Sequence, residues 1–433
     1  MTMQLVEQHI IDKADPRWQA IGAACFLSKN LYNAANYALR QEYIFNDRYI
    51  SYAKLAKLMK TNPDYCALPR KVSQWVLKQV DHDWQAFFAA VAEWEVHPEK
   101  FAGRPRLPKY KHKTQGRNLL TYTTQAIGER ILKKKGVIQP SGLDITIQTQ
   151  QQTFDQVRIV PRKTHYVVEV VYTASVQSIK LDLDSVAAID IGLNNLATVT
   201  SNQQGFVPLL VNGRPLKAIN QCYNKERAWL QSQLKGEQTF SHRLDAITDK
   251  RNRRVTAYLH LASRRLIDNL VQQGIGTLVI GKNDGWKQGI NLGKCTNQNF
   301  VQIPHARFIE MLTYKAELAG IKIILTEESY TSKCSFLDNE PIGKHLIYAG
   351  KRIHRGLFRS SDGRCINADV NGSYNILRKV IPNACQTGNG IGGAVVHPVL
   401  LRLYKTDPPV SLKDIGEGTI VAYVYDGHES IVG

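Results

Sequence analysis

The stretch "SVAAIDIGLNNLATVTS" (Ser185–Ser201) places one carboxylate, Asp190, directly after four apolar residues, then a glycine-containing turn, then a second apolar run. It reads as two short strands around a turn. A buried, unpaired carboxylate costs several kcal/mol, so Asp190 needs a cation, a metal or solvent. Taken alone, a hydrogen-bonded strand-end aspartate explains it. Downstream, "GIGTLVIG" (274–281) reads as an apolar strand, "VQIPHARFIEMLTYKAELAG" (301–320) as an amphipathic helix and "IKIILTEES" (321–329) as a strand running out into Glu327 and Glu328. Strand, helix and strand in succession imply a βαβ unit and a partly parallel sheet. "NADVNGSYNILRKVI" (367–381) then reads as a helix with Asp369 at its start. The carboxyl ends of parallel strands share one edge, where sites form. Carboxylates converging there repel one another unless a cation joins them. Hard divalent ions such as Mg²⁺ take carboxylate oxygens and leave positions for phosphate. Two such ions activate water and stabilise a leaving oxygen. The residues alone therefore point to a metal-dependent nuclease.

The bulk composition agrees. The 433 residues carry 56 Lys and Arg against 37 Asp and Glu, a net charge of +19. On an ordinary folded composition, that excess asks for a polyanionic partner. Nucleic acid leads and an acidic membrane surface is second. No run of about 18 apolar residues appears, so no spanning helix and no membrane association are expected. The N-terminus lacks the layout of a secretory signal, and the seven cysteines are scattered without a CxxC pair. Both fit reduced thiols in a bacterial cytoplasm, with action at the nucleoid.

Residues 3–12 read as a single strand, and residues 16–93 as helices with apolar residues at threes and fours. The texture changes at Phe101: residues 101–135 hold ten Lys and Arg against one acid, Glu129. Gly and Pro exclude a long helix there. Because the cations sit among strand-like pieces such as "NLLTYT", a phosphate-binding face is expected. Lys109, Lys111, Lys113 and Arg117 are the expected backbone contacts, with Tyr110 placed either to stack on a base or to pack. "GLDITIQTQ", "FDQVRIVPR" and "HYVVEVVYTA" continue a β-rich segment to about residue 180. His260 and Arg264, four apart on a basic helix, face either nucleic acid or solvent.

"AIDIGLNNLATVTS", the segment from "LVIGKNDGWKQG" through "ILTEESYTSKCSFLD", and "GKRIHRGLFRSSDGRCINADVNGSYNILRKV" together resemble the TnpB family of transposon-encoded, RNA-guided DNA endonucleases related to type V CRISPR effectors. "LSKNLYNAANYALRQ" and "LPKYKHKTQGR" extend the likeness, which reaches about residue 381. The resemblance implies an α+β multidomain fold in which a helical recognition lobe (16–100) is inserted in a β-barrel wedge domain (1–15 and 101–180). An RNase H-like (RuvC) α/β nuclease domain (181–381) would follow, with a target-nucleic-acid insert at about 329–366 and a flexible tail over 382–433. It also implies a guide RNA from the transposon end, a double-stranded DNA target beside a short motif, and two Mg²⁺ ions. A monomer is the expected state. Asp190 matches the first catalytic aspartate and Asp369 the last.

Two departures stand out. Where most of the family ends the "TLVIG" strand in the second catalytic glutamate, this chain has Gly281 and Lys282. Glu328 or Glu327, at the end of the neighbouring strand, is expected to replace it. Period two in a strand sends their side chains to opposite faces, and Glu328 is preferred because it lies nearer the "SYTS" turn. The metal ligands are then Asp190, Glu328 and Asp369. The second departure is the zinc ribbon. Only Cys334 and Cys365 stand where the family carries two CxxC pairs, and two thiolates are too few for a structural zinc site. His345 and His354 lie between them at spacings that match no zinc motif, so no zinc is expected. Lys287, Arg352 and Arg355 are further expected nucleic-acid contacts. The missing glutamate leaves two functional readings open: an active endonuclease with a relocated glutamate, or a nuclease-inactive RNA-guided DNA-binding protein acting as a repressor.

Overall fold

A computed structural model describes residues 2–176, 180–283, 302–382 and 398–403. Lys287 and nearly all of the segment beyond residue 382 lie outside them. The chain forms two compact units, one built from Thr2–Ala174 and one beginning at Ser175.

In the first unit, β1 (Thr2–Ile11) is followed by helices α1 (Trp18–Asn46), α2 (Tyr52–Met59), α3 (Pro63–Cys66) and α4 (Arg70–Val96). The periodic face read from the sequence is the buried one: Ile21, Ala24, Leu31, Ala35 and Leu39 of α1 are all in the core. Then come β2 (Leu120–Thr123), α5 (Glu129–Lys135), β3 (Val137–Ile138), β4 (Ile147–Gln148), β5 (Gln156–Pro161) and β6 (Tyr166–Ser175). The expected barrel is corrected here. Among the described residues, β1, β6, β5 and β2 form an open four-stranded sheet in that order, and β3 pairs only with β4. "GLDITIQTQ" contributes just two residues to that hairpin, too short a strand to close a barrel. Tyr166 to Val171 are buried throughout, as in a strand covered on both faces. The one acid among them, Glu169, lies opposite Arg158 and pairs with it at 2.6 Å. Helix residues and strand residues share a single hydrophobic core in this unit, from Ile21 and Trp84 to Val157 and Val170.

The second unit contains β7 (Asp182–Ile191), β8 (Asn195–Ser201), β9 (Leu209–Asn212), α6 (Arg214–Ser232), α7 (His242–Gln272), β10 (Ile275–Gly281), α8 (His305–Leu318), β11 (Lys322–Thr326), β12 (Lys351–His354), β13 (Leu357–Arg359), β14 (Cys365–Asn367), α9 (Ala368–Val380) and β15 (Val399–Leu400). Its central sheet runs β11-β10-β7-β8-β9-β15. β10 is parallel to both β7 and β11, while β8 and β9 are antiparallel additions. The expected βαβ unit is thus β10, α8 and β11. Val399–Leu400 pairs with β9, so the sheet reaches past residue 381. Helix α9 lies on β7 and β8, where Ser373 bonds the carbonyls of Ala188 and Thr198. Val370, Tyr374, Ile376 and Leu377 of α9 join Val186, Ala188 and Val279 in one core.

Helices α7 and α8 are joined by a buried cation. Lys315 Nζ donates to the His260 carbonyl at 2.8 Å and to Ser263 Oγ at 2.6 Å. His260 is therefore buried, facing neither nucleic acid nor solvent, whereas Arg264 stays on the surface in an ion pair with Asp268. Burial lowers the Lys315 pKa from 10.5 to about 7, with Arg264 adding to the shift and Asp268 opposing it. Unfolded Lys315 binds its proton up to about 10.5, so between 7 and that value the unfolded chain holds more protons. Stability then rises with pH through the window. Urea unfolding is expected to show a gain of roughly 2 kcal/mol between pH 7 and pH 9. The rise should vanish in Lys315→Met; a flat wild-type profile would show the lysine to be hydrated.

Candidate functional site

The parallel strands bring three chain segments to one edge. Ile189 pairs with Ile280, and Gly281 pairs with Thr326. Asp190 therefore emerges beside Gly281, and the chain leaving β11 passes Gly281 on its other side. A Cβ built on Gly281 would stand 2.4 Å from Glu328 Oε1 and 2.6 Å from Glu328 Cγ. The Glu328 side chain fills the space that a side chain at 281 would occupy. Glu327 points elsewhere: it is exposed, and its carbonyl accepts from Lys379 Nζ at 2.9 Å.

Glu328 is held at both ends. Its N–H donates to Asn283 Oδ1 at 3.0 Å, and Asn283 Nδ2 reaches Glu328 Oε2 at 3.3 Å. The turn after it takes a left-handed residue, Tyr330 at φ 64°, and Thr331 bonds back to the Glu328 carbonyl. Helix α9 clamps that turn. Asn375 donates to the carbonyls of Thr331 and Cys334, and Asn371 to that of Cys334. The same helix meets Asp190: a Cβ on Gly372 would stand 2.6 Å from Asp190 Oδ2. Asp369 opens α9, with the Asn367 side chain capping the N–H groups of Asp369 and Val370. Its own oxygens accept from Asn195 Nδ2 at 2.8 Å and Arg352 at 3.1 Å.

The charges feel one another. Burial, then the charges of Glu328 and Asp369, push the Asp190 carboxyl well above its ordinary range, against the pull of Arg352. Burial likewise pushes Glu328 up to about 7, with Lys379 opposing. As arranged, no three His, Cys, Asp or Glu side chains among the described residues stand close enough to hold one ion. The two findings agree, because charge repulsion reaches farther than a shared ligand shell and Arg352 and Asn195 hold Asp369. The donor set nonetheless suits a hard cation. It is all carboxylate oxygen, and Glu328 Oε1 is buried with no hydrogen-bond partner.

Cys334 is buried with its Sγ against the Gly343 carbonyl, and Cys365 lies on β14. The loop they flank is fastened by a carboxylate. Buried Glu340 accepts the N–H of Ser335 at 2.7 Å and of Ala349 at 2.9 Å.

The expected basic face lies in the first unit, where residues 107–117 follow α1 as an extended strap. The Asn33 side chain donates from Nδ2 to the Lys111 carbonyl and accepts the Lys111 N–H at Oδ1, Asn36 and Arg40 hold the Pro108 carbonyl, and Lys29 holds that of Lys113. This 29, 33, 36, 40 ladder, spaced 4-3-4 on one helix face, was visible in the sequence as a polar stripe but unassigned. Lys111 sits over the Tyr32 ring, Arg117 over Phe26 and Arg40 over Tyr110. Lys109 and Lys113 are exposed. Replacing both with alanine is expected to lower the slope of log affinity against log salt by about 1.5 for RNA. An unchanged slope would mean that this face meets only solvent. Arg355 is exposed after β12. Lys287 lies outside the described residues. The residues that sequence reading missed are the asparagines: Asn195, Asn283, Asn371 and Asn375.

Comparisons with known proteins find related sequences and a shared fold. The family OrfB_IS605, described as a probable transposase, matches residues 167–287, and the Cas12f1-like TNB domain matches residues 305–376. The chain is 26% identical over 220 residues to the TnpB-like protein ORF457 of Acidianus two-tailed virus, covering 48% of this chain and 44% of that protein. It is 26% identical over 234 residues to the CRISPR-associated endodeoxyribonuclease Cas12f1 of Sulfoacidibacillus thermotolerans, covering 51% of each. The match thus spans about half the length of these curated relatives. A cryo-EM structure of a Cas12f1–sgRNA–target DNA complex shares the fold at a TM-score of 0.50, with 13% identity over 83% of this chain and 82% of that one. Among the described residues, no helix is long and apolar enough to cross a membrane. The chain is thus similar to TnpB-like and Cas12f1 proteins over about half of its length.

Proposed function

We propose that the protein is an RNA-guided DNA endonuclease encoded by a transposon, with an RNase H-like (RuvC) site in its second unit. It would take a guide RNA from the transposon end and cut complementary double-stranded DNA beside a short motif. The observation that carries this reading is the Glu328 carboxylate lying over Gly281, next to the Asp190 strand end. A chain that had merely lost its second acid would have no reason to seat another in the same space with one oxygen buried and unpartnered.

Asp190, Glu328 and Asp369 would hold Mg²⁺, which supplies Lewis acidity and a water activated for attack on the phosphodiester. Asn283 orients the glutamate, and Asn195 orients the last aspartate. Arg352 balances Asp369 when the site carries only carboxylates, and lies where a scissile phosphate would need a cation. Lys379 keeps positive charge beside Glu328.

The arrangement of Asp369 on Arg352 is the observation that favours the second reading, an inactive RNA-guided binder. One assay separates them. The purified chain with its guide RNA and Mg²⁺ is expected to cut a matched duplex, to leave an unmatched one whole, and to stop cutting in EDTA. Tight binding of the matched duplex with no cut in any Mg²⁺ concentration would establish the binder.

A further inference from the structure

The loop between the Glu340 fastening and β12 ends in a feature that the carboxylate site does not use. Leu346 and Ile347 are 105% and 89% exposed, beyond any other large apolar side chain among the described residues. The loop beneath them is braced. Glu340 ties Ser335 to Ala349 across its base, His345 Nε2 lies 2.7 Å from the Pro341 carbonyl, and the His345 and Tyr348 rings meet edge to face at 5.4 Å. Single exposed apolar residues are common, but an adjacent pair held out by a braced loop is a presented surface. Its surroundings choose the partner. Residues 341–361 contain five cations, Lys344, Lys351, Arg352, Arg355 and Arg359, and no acid. All five are exposed.

We propose that Leu346 and Ile347 form a wedge that seats against the bases of a nucleic-acid strand crossing the carboxylate site. Proteins that kink or open nucleic acid use apolar side chains in this way, with flanking cations on the phosphates. The geometry favours a nucleic acid over an anionic membrane. Arg352 lies five residues from Ile347 and touches Asp369. Five residues span at most about 18 Å, about five nucleotide rises along a strand. One strand can therefore meet the wedge and the carboxylates together. The inference rests on the nucleic-acid reading of that site, not on its cutting.

The test uses the full chain in EDTA and a mixed-sequence 20-nucleotide DNA strand carrying 2-aminopurine at successive positions. Wild type is expected to raise the fluorescence at one position by unstacking it. Leu346→Ser with Ile347→Ser should abolish that signal and weaken binding about tenfold, with the salt slope unchanged because no phosphate contact is lost. Leu346→Met with Ile347→Met should keep both. Equal thermal melting of all three excludes misfolding. Wild-type affinity and signal in the serine variant would overturn the wedge. So would loss in that variant of a wild-type dimer in sedimentation, or of wild-type binding to phosphatidylserine vesicles. Because binding is read without metal, a wedge that fails leaves the endonuclease reading standing, and a chain that never cuts leaves the wedge intact.

Discussion

Asp190→Ala and Asp369→Ala proteins are expected to bind guide RNA and matched DNA as wild type does, and to cut at least about a thousandfold more slowly. The two acids come from a strand end and a helix start, and neither is needed to complete either element. Asp190 is the penultimate residue of β7, and its apolar neighbours Val186 to Ile189 already anchor that strand in the core. Asp369 is the second residue of α9, whose cap is supplied by Asn367. Removing Asp190 also removes a carboxylate whose pKa is raised by burial and by Glu328 and Asp369. The metal-free Asp190→Ala protein should therefore melt at least as high as wild type, a structural readout independent of cutting. Gel-based cleavage and filter binding on the same preparations check the pair. Cutting that survives either substitution removes that residue from the site.

The second large effect concerns Gly281 and Glu328. Glu328→Ala should slow cutting about a thousandfold, while Glu327→Ala, on an exposed side chain, should leave it near wild type. Gly281→Ala replaces no catalytic residue, yet its new methyl would lie 2.4 Å from Glu328 Oε1 and 2.7 Å from Ile376 Cδ1. It must push the carboxylate aside, and a loss of about 10- to 100-fold is expected, as for other groups that orient a metal ligand. The informative protein is the exchange, Gly281→Glu with Glu328→Ala. Deleting Glu328 beyond its Cβ frees the space, and a glutamate at 281 stands on the strand beside Asp190. Recovery of at least tenfold over Glu328→Ala alone is expected, read as Mg²⁺-dependent cleavage of matched DNA. An exchange no better than Glu328→Ala, together with a normal Gly281→Ala, would show that the two positions do not share a role.

Much of this protein was legible in its residues. The period-two and period-3.6 patterns placed β7, β10, α8, β11 and α9, since burial of one face is written directly into residue spacing. Asp190 could be singled out because charge next to apolar strand residues is costly enough to be noticed, and Asp369 because it stands at the start of a helix that follows. The βαβ order by itself implies a shared edge. That the first unit's sheet stays open was not legible. Whether strands close depends on pairing partners and lengths, and the 142–150 segment gives its neighbour only two paired residues. His260 was misread because a polar residue in a basic helix looks solvated until its neighbour, Lys315, is seen to bury it.

Between Glu327 and Glu328, alternation along the strand required that they part, and could not say which turned inward. That depended on contacts far apart in the chain. Asn283 grips Glu328 from just past β10, Lys379 draws the Glu327 carbonyl toward α9, and Asn371 and Asn375 hold the turn that follows. The sequence by itself determined that this basic chain carries acids at the ends of a mixed sheet, because composition and period are local quantities. Tertiary structure alone decided that the gap at Gly281 is filled by Glu328, because occupancy of a space depends on what packs around it.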